Sequence, residues 1–244
     1  MNKIILHIPH AGTKLVKDFW DNVVIPKSNV LQFANAIADT KTDVLFGCNR
    51  YSKIKFKYSR IFCDVEKFAD DKKEEMSKFG MGVVYTHTNK GIKFANVSNE
   101  YRNYVLQNYY WPYHNKMCKI VDKCLQKGQK VIMLDCHSFG KDIIMYDDRK
   151  TDLPDICIGY NTNYNKTLIR FINDYFINLG YKVAVNYPYS GTMVPNSIIS
   201  KPNTNFASVM LEINKDAYLK NVKQFKKLQK EINGLLKKLI DLKF

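Results

Sequence analysis

The sequence predicts an α/β protein: one domain around a largely parallel or mixed sheet, with helices on both faces. Short strand-like segments alternate along the chain with longer segments of helical periodicity. Residues 131–136 form an apolar strand of the kind found at the centre of a sheet. The 244 residues contain no internal repeat and no linker rich in Pro, Gly or Ser, so we expect a single domain over 1–244.

The spacing of apolar residues predicts each element in turn. Alternating or continuous apolar residues predict strands at 3–8, 53–63, 82–85, 131–136, 156–160, 182–186 and 208–213. Apolar residues that recur every three or four positions predict helices at 30–46, 99–127, 166–180 and about 215–243. Gly128 ends the second of these helices, and the last one is amphipathic.

The composition excludes several classes of protein. Hydrophobic residues make up 45% of the chain and charged residues 25%, which excludes a disordered tail or a fibre. No apolar run approaches the ~18 residues of a membrane span, and the first residues lack the pattern of a signal peptide. The six cysteines form no C-x-x-C pair, so we expect reduced thiols and a cytoplasmic protein.

The chain carries a formal net charge of +15. Such an excess suggests either a polyanion partner or a lysine-rich surface that promotes solubility. Most of the positive charge is scattered, and its densest part lies between the apolar positions of the helix at 215–243. We therefore favour the surface interpretation and expect no nucleic-acid or membrane partner, with the protein a monomer or a small homo-oligomer.

Polar residues follow three predicted strands at their carboxyl ends, where ligands bind in open α/β sheets. His10, His137 and Glu212 lie at these ends. Two imidazoles and a carboxylate, with a fourth position open, are typical of a catalytic zinc site. Each histidine taken alone is better explained as a hydrogen-bonded core or rim residue, and only their joint placement at strand ends favours a metal site. Cys136 beside His137 would face the core, because neighbours on a strand point to opposite faces.

Five short motifs occur together in one order. They are HIPHAG at 7–12, Ser59-Arg60 followed by Asp64, DCHS at 135–138, NYPYSG at 186–191 and LEIN at 211–214. In the content and order of these motifs, the chain resembles the N-formylglutamate amidohydrolase family from about residue 4 to residue 218. That family is related in fold to zinc carboxypeptidases and aspartoacylase-like deacylases. The resemblance implies a mixed sheet flanked by helices, with one zinc ion, or another divalent metal ion in its place, at the strand ends.

The resemblance also implies the metal ligands. His10 and His137 would occupy the two histidine positions. The related peptidases place a glutamate ligand three residues after the first histidine, where this chain has Thr13. Asp39 matches an acidic position of the family, so we expect it to be the third ligand. Asp64 would then orient His10 through its other ring nitrogen, although the roles of Asp39 and Asp64 could be exchanged.

The implied reaction is hydrolysis of the amide of an N-formyl or other N-acyl amino acid. Metal-activated water would attack the acyl carbon, and Glu212 would act as the general base. Arg60 would stabilise the developing oxyanion or bind a carboxylate of a small acidic substrate.

Further residues are candidates for substrate contact. Asn186 and Tyr189 lie in the 186–191 motif, although turn chemistry would also explain the proline and glycine there. Family members commonly continue the arginine motif as Asp-x-Asn-Arg, whereas this chain has Glu66-Lys67. Lys67 keeps a positive charge but lacks the forked geometry of arginine, and Glu66 adds a negative charge nearby.

These observations leave three hypotheses. The first is a zinc-dependent amidohydrolase acting on an N-acyl amino acid. The second is an inactive basic binding module on the same fold, which the departure at Glu66-Lys67 and the net charge favour. The third is a zinc carboxypeptidase or amidase acting on a cell-wall peptide. The presence of all the implied site residues together favours the first hypothesis.

Overall fold

The computed structural model describes residues 1–141, 152–162 and 165–244. The chain divides into two compact units, which we call the sheet unit and the insert unit. The sheet unit comprises Met1–Ile8, Lys41–Ile54 and Cys118–Phe244, and the insert unit comprises Pro9–Thr40 and Lys55–Met117. The single domain that the sequence predicts stays a prediction.

The sheet has six strands in the order β2-β1-β3-β6-β4-β5. Their bounds are β1 Lys3–Ile8, β2 Ser52–Lys55, β3 Val131–Phe139, β4 Ile156–Gly159, β5 Val183–Val185 and β6 Phe206–Asn214. Strand β3 pairs in parallel with β1 and β6, β4 pairs in parallel with β5, and β4 runs antiparallel to β6. The predicted mixed, mostly parallel sheet is confirmed, with the predicted apolar strand between β1 and β6 and buried along its whole length.

Helices of the sheet unit pack apolar faces inward. They are α2 Thr42–Leu45, α5 Lys166–Asn178, α6 Asn196–Ser200, α7 Lys215–Tyr218 and α8 Val222–Leu239. Helix α8 buries one leucine-rich stripe and exposes its lysines. The prediction of one helix over about 215–243 was wrong, because Asn221 has an extended backbone and its side chain caps α8 by accepting a hydrogen bond from Gln224 N.

The insert unit contains helix α1 Lys27–Ile37, two short 3₁₀ helices and a long helical run. That run consists of α3 Asn99–Val105, a π-helical turn at Leu106–Tyr110 and α4 Trp111–Gln126, whose last residues belong to the sheet unit. It confirms the helix predicted at 99–127. Within the described parts of the chain, no helix combines the length and apolar character needed to cross a membrane.

Three further local predictions were wrong. The helix predicted at 30–46 is broken, because α1 ends at Ile37 and Lys41 has a left-handed backbone with φ 61° before α2. The strand predicted at 53–63 stops at Lys55, and residues 82–85 form only an isolated bridge between Met81 and Tyr85. In these two segments, backbone hydrogen bonds join separate loops, such as the bond from Asp64 N to Val83 O, and they take the place of regular strand pairing.

Candidate active site

A row of polar side chains crosses three strands of the sheet unit near their carboxyl ends. His7 of β1 lies opposite Asp135 of β3, and His137 of β3 lies opposite Glu212 of β6. Asp135 and His137 are two residues apart, so they share one face of the sheet. All four side chains are buried, and Cys157 of β4 continues the row opposite Glu212. A buried polar row of this kind requires mutual hydrogen bonds.

Asp135 supplies those bonds. Its Oδ1 lies 2.6 Å from His7 Nδ1 and 2.9 Å from His137 Nε2, and its Oδ2 accepts from Met193 N at 2.7 Å. Burial acts to raise the pKa of Asp135, but His137 and His7 lower it well below its usual value. An ionised carboxylate only accepts, so each facing ring nitrogen carries its proton. The ring nitrogen of His137 that does not face Asp135 is then Nδ1.

The insert unit holds the other predicted histidine in a similar arrangement. Asp64 Oδ1 accepts from His10 Nε2 at 2.8 Å and from Glu66 N at 3.1 Å. Its Oδ2 accepts two bonds from Arg60, at 3.0 and 2.8 Å, and one from the Tyr85 hydroxyl at 2.8 Å. Burial acts to raise the pKa of Asp64, but Arg60 and His10 lower it well below its usual value. Asp64 is therefore an ionised hub that fixes the ring of His10.

Arg60 and Lys67, both predicted to contact substrate, are engaged in ion pairs within the insert unit. Burial acts to lower the pKa of Arg60, but Asp64, with smaller effects of Tyr85 and Asp39, raises it well above its usual value. The Lys67 ammonium donates to Glu74 Oε1 at 3.1 Å, and both side chains are largely buried.

Two carboxylates lie on the other side of the His10 ring. Glu66 Oε2 is 3.5 Å and Asp39 Oδ2 is 3.9 Å from His10 Nδ1. Asp39 is in the segment that breaks the predicted helix, and its N–H donates to the His10 carbonyl at 3.0 Å. Two ligand atoms about 2.1 Å from a tetrahedral zinc ion lie roughly 3.4 Å apart, so each carboxylate lies near the spacing from His10 Nδ1 that two zinc ligands have.

The predicted substrate motif lies in the sheet unit, next to a cavity of about 770 Å³. Asn186 lines this cavity with Tyr160 and Ser190, has a left-handed backbone with φ 50°, and accepts a bond from Tyr160 N at 2.9 Å. Tyr189 packs edge-on against the Phe139 ring at 5.9 Å between centroids.

Sequence reasoning missed three contributors to these arrangements. In the sequence Asp135 stands only as part of a motif, although its spacing of two from His137 on a strand is a usable signal. Glu66 stands out as a departure from the family pattern, not as a neighbour of His10. Tyr85 ends the predicted strand at 82–85, but 21 residues separate it from Asp64, so no spacing indicates that the two side chains meet. Each unit thus contains buried histidine and aspartate side chains that could bind a metal ion.

Comparison with known proteins decides the family. The family model described as N-formylglutamate amidohydrolase matches residues 2–219. The chain belongs to the N-formylglutamate amidohydrolase family. It is therefore a hydrolase that acts on a linear amide, as the sequence predicts.

Solved structures resemble this N-formylglutamate amidohydrolase family member in fold. The crystal structure of N-formylglutamate amidohydrolase from Ralstonia eutropha JMP134 is 19% identical with a TM-score of 0.81, and the match covers 98% of this chain and 93% of that chain. A gene product of Agrobacterium tumefaciens is 16% identical with a TM-score of 0.73, covering 98% and 90% respectively. No curated protein matches the sequence closely enough to count as a relative.

Proposed function

We propose that this chain is a zinc-dependent amidohydrolase that hydrolyses an N-formyl or other N-acyl amino acid. His10, Asp39 and His137 would bind the ion. One observation carries the proposal: both histidines are buried, and each is hydrogen-bonded to an ionised aspartate through the nitrogen that would face away from a metal. A carboxylate behind a ligating imidazole is the usual support of a metal-binding histidine.

The order of the chain supports pairing the two histidines at one site. His10 is only three residues beyond His7. His7 is the register partner of Asp135, the same carboxylate that holds His137. Asp64 contacts the His10 nitrogen opposite Asp39, which favours the supporting role for Asp64 and the ligand role for Asp39.

The chemistry follows from the residues that surround such a site. A zinc ion, when bound, activates water and polarises the amide carbonyl. Glu212, buried on β6 opposite His137, would accept the proton of the water and return it to the leaving amine nitrogen. Arg60 has five N–H donors, and its bonds to Asp64 use two of its nitrogens. A remaining donor would bind the oxyanion or a substrate carboxylate.

The substrate class is a small acidic N-acyl amino acid. Asn186 at the 770 Å³ cavity, Tyr189 and Lys67 remain our candidates for contact with its amino-acid part. All six cysteines are free thiols, which supports a reducing compartment and hence the cytoplasm. We expect the enzyme to act as a monomer or a small homo-oligomer.

The test is metal content together with turnover of N-formylglutamate. The purified chain should hold about one equivalent of zinc, and the His10→Ala/His137→Ala double variant should hold none. Supplying zinc should support hydrolysis by the wild type alone. A wild-type chain that takes up no metal even when zinc is supplied would overturn the proposal, as would full activity in the presence of a strong chelator.

A further inference from the structure

The turn after Asp64 brings an additional carboxylate to His10. Glu66 Oε2 lies 3.5 Å from His10 Nδ1, closer than the 3.9 Å of Asp39 Oδ2. The Glu66 side chain is only 20% exposed. Its backbone is held by Asp64, whose Oδ1 binds both Glu66 N and His10 Nε2. A single carboxylate therefore positions the ring of His10 and the backbone of Glu66.

Two carboxylates lie beside the same nitrogen of His10. Asp64 Oδ1 is 2.8 Å from Nε2, so the other ring nitrogen, Nδ1, is the one on the side of Asp39 and Glu66. Asp39 and Glu66 direct acceptor oxygens at the same side of the ring. An imidazole nitrogen and carboxylate oxygens are ligand types that zinc takes in proteins.

We propose that Glu66 is a metal ligand of this chain, alongside His10 and Asp39. This proposal rests on the proposed metal-dependent function and adds a carboxylate that the family resemblance does not imply. The distance from His10 Nδ1 matches the roughly 3.4 Å between two ligands of a tetrahedral ion. Glu66 would join the proposed ligand set without replacing His137.

The experiment measures binding of Zn²⁺ and Co²⁺ to the full chain after its metal has been removed. Affinity for Zn²⁺ is determined by competition with a chromophoric chelator, and the visible spectrum of bound Co²⁺ reports the number and type of its ligands. The variant is Glu66→Gln, which keeps the shape and removes the charge. The matched control is Glu75→Gln, which removes the same charge from an exposed position of the same unit.

We expect Glu66→Gln to weaken Zn²⁺ binding by more than about 100-fold, beyond the ~10–100-fold cost of losing an outer partner of a ligand. The Co²⁺ spectrum should change with it, whereas Glu75→Gln should match the wild type in both measurements. Glu66→Asp keeps the carboxylate but shortens its reach, so it should bind more tightly than Glu66→Gln yet still alter the spectrum. This second variant also serves if Glu66→Gln fails to fold.

The other outcomes separate the two proposals. If the wild type binds neither ion, the metal-dependent function fails and the role of Glu66 fails with it. If Glu66→Gln binds Zn²⁺ as the wild type does, Glu66 is a neighbour of His10 and not a metal ligand, and only the present proposal is overturned. A weakened affinity with an unchanged Co²⁺ spectrum also overturns it, because Glu66 then acts through its charge without contacting the ion.

Discussion

Replacing Tyr85 by Phe removes one hydroxyl from the hub around Asp64. That hydroxyl donates to Asp64 Oδ2 at 2.8 Å, and Tyr85 is 1% exposed. A hydrogen bond to a charged group contributes about 1.5–3 kcal/mol to the free energy of unfolding. Asp64 keeps its four bonds to His10, Glu66 and Arg60, so we expect a loss of about 1.5–2 kcal/mol, near the lower end of that range.

The insert unit offers a matched control. The Tyr101 hydroxyl is also buried, but it has no hydrogen-bond partner within the described residues. Burial of a hydroxyl without a partner is unfavourable, so Tyr101→Phe should leave the free energy of unfolding unchanged or raise it, within about 1 kcal/mol. The same chemical substitution is thus expected to have different consequences at two positions.

Urea unfolding followed by circular dichroism measures both variants against the wild type. The midpoint should fall for Tyr85→Phe and stay or rise for Tyr101→Phe, with similar slopes. Equal destabilisation of both variants would refute the reasoning, because the loss would then come from tyrosine packing in general. A Tyr85→Phe variant as stable as the wild type would show that the hydroxyl bond to Asp64 contributes nothing.

Three further predictions concern the sheet unit. The Glu212→Gln variant should retain its metal but have a kcat about 10²–10⁴-fold lower than the wild type, measured by formate release. Full activity of this variant would exclude Glu212 as the general base. Asp135→Asn should weaken zinc binding by about 10–100-fold in a chelator competition. The control Asp174→Asn, at an exposed position, should bind zinc as the wild type does. Equal zinc affinities of the Asp135→Asn variant and the wild type would refute the supporting role of Asp135. Burial, with a smaller contribution from Glu212, raises the pKa of the Cys157 thiol to about 12. At pH 8 iodoacetamide should therefore label the partly exposed Cys118 and leave Cys157 intact. Rapid labelling of Cys157, detected by peptide mass spectrometry, would contradict this prediction.

The strands that carry the site could be predicted because their apolar residues are continuous. β1 has its predicted bounds, and β3 and β6 extend the predicted segments by a few residues. Their burial on both faces imposes that continuity on the sequence. The break between α1 and α2 could not be predicted in the same way. It depends on a bond from Asp39 N to the carbonyl of His10, 29 residues away in sequence, and the apolar spacing continues across it.

The same contrast holds within the candidate site. The strand-end motifs and the family resemblance pointed to His10, His137 and Glu212, since those residues stand beside recognisable apolar runs. The approach of Glu66 to His10 depends on the turn that Asp64 fixes through its side chain. The spacing of apolar residues does not predict such a turn, and the sequence shows only that Glu66 departs from the family pattern. A departure from a motif can therefore indicate a changed site as readily as a lost one.

The two histidines are held in the same way by different local structures. On β3, the strand itself places Asp135 two residues before His137, and Met193 N holds the second oxygen of that carboxylate. In the insert unit, a loop carries Asp64, and its second oxygen is held by Arg60 and Tyr85. In both cases the carboxylate that orients the imidazole is itself fixed by further donors. Such layered support would keep a metal ligand in place before an ion binds, which would lower the ordering cost of binding it. An inactive binding module would have no need for this arrangement at both histidines, and its presence at both favours an enzyme.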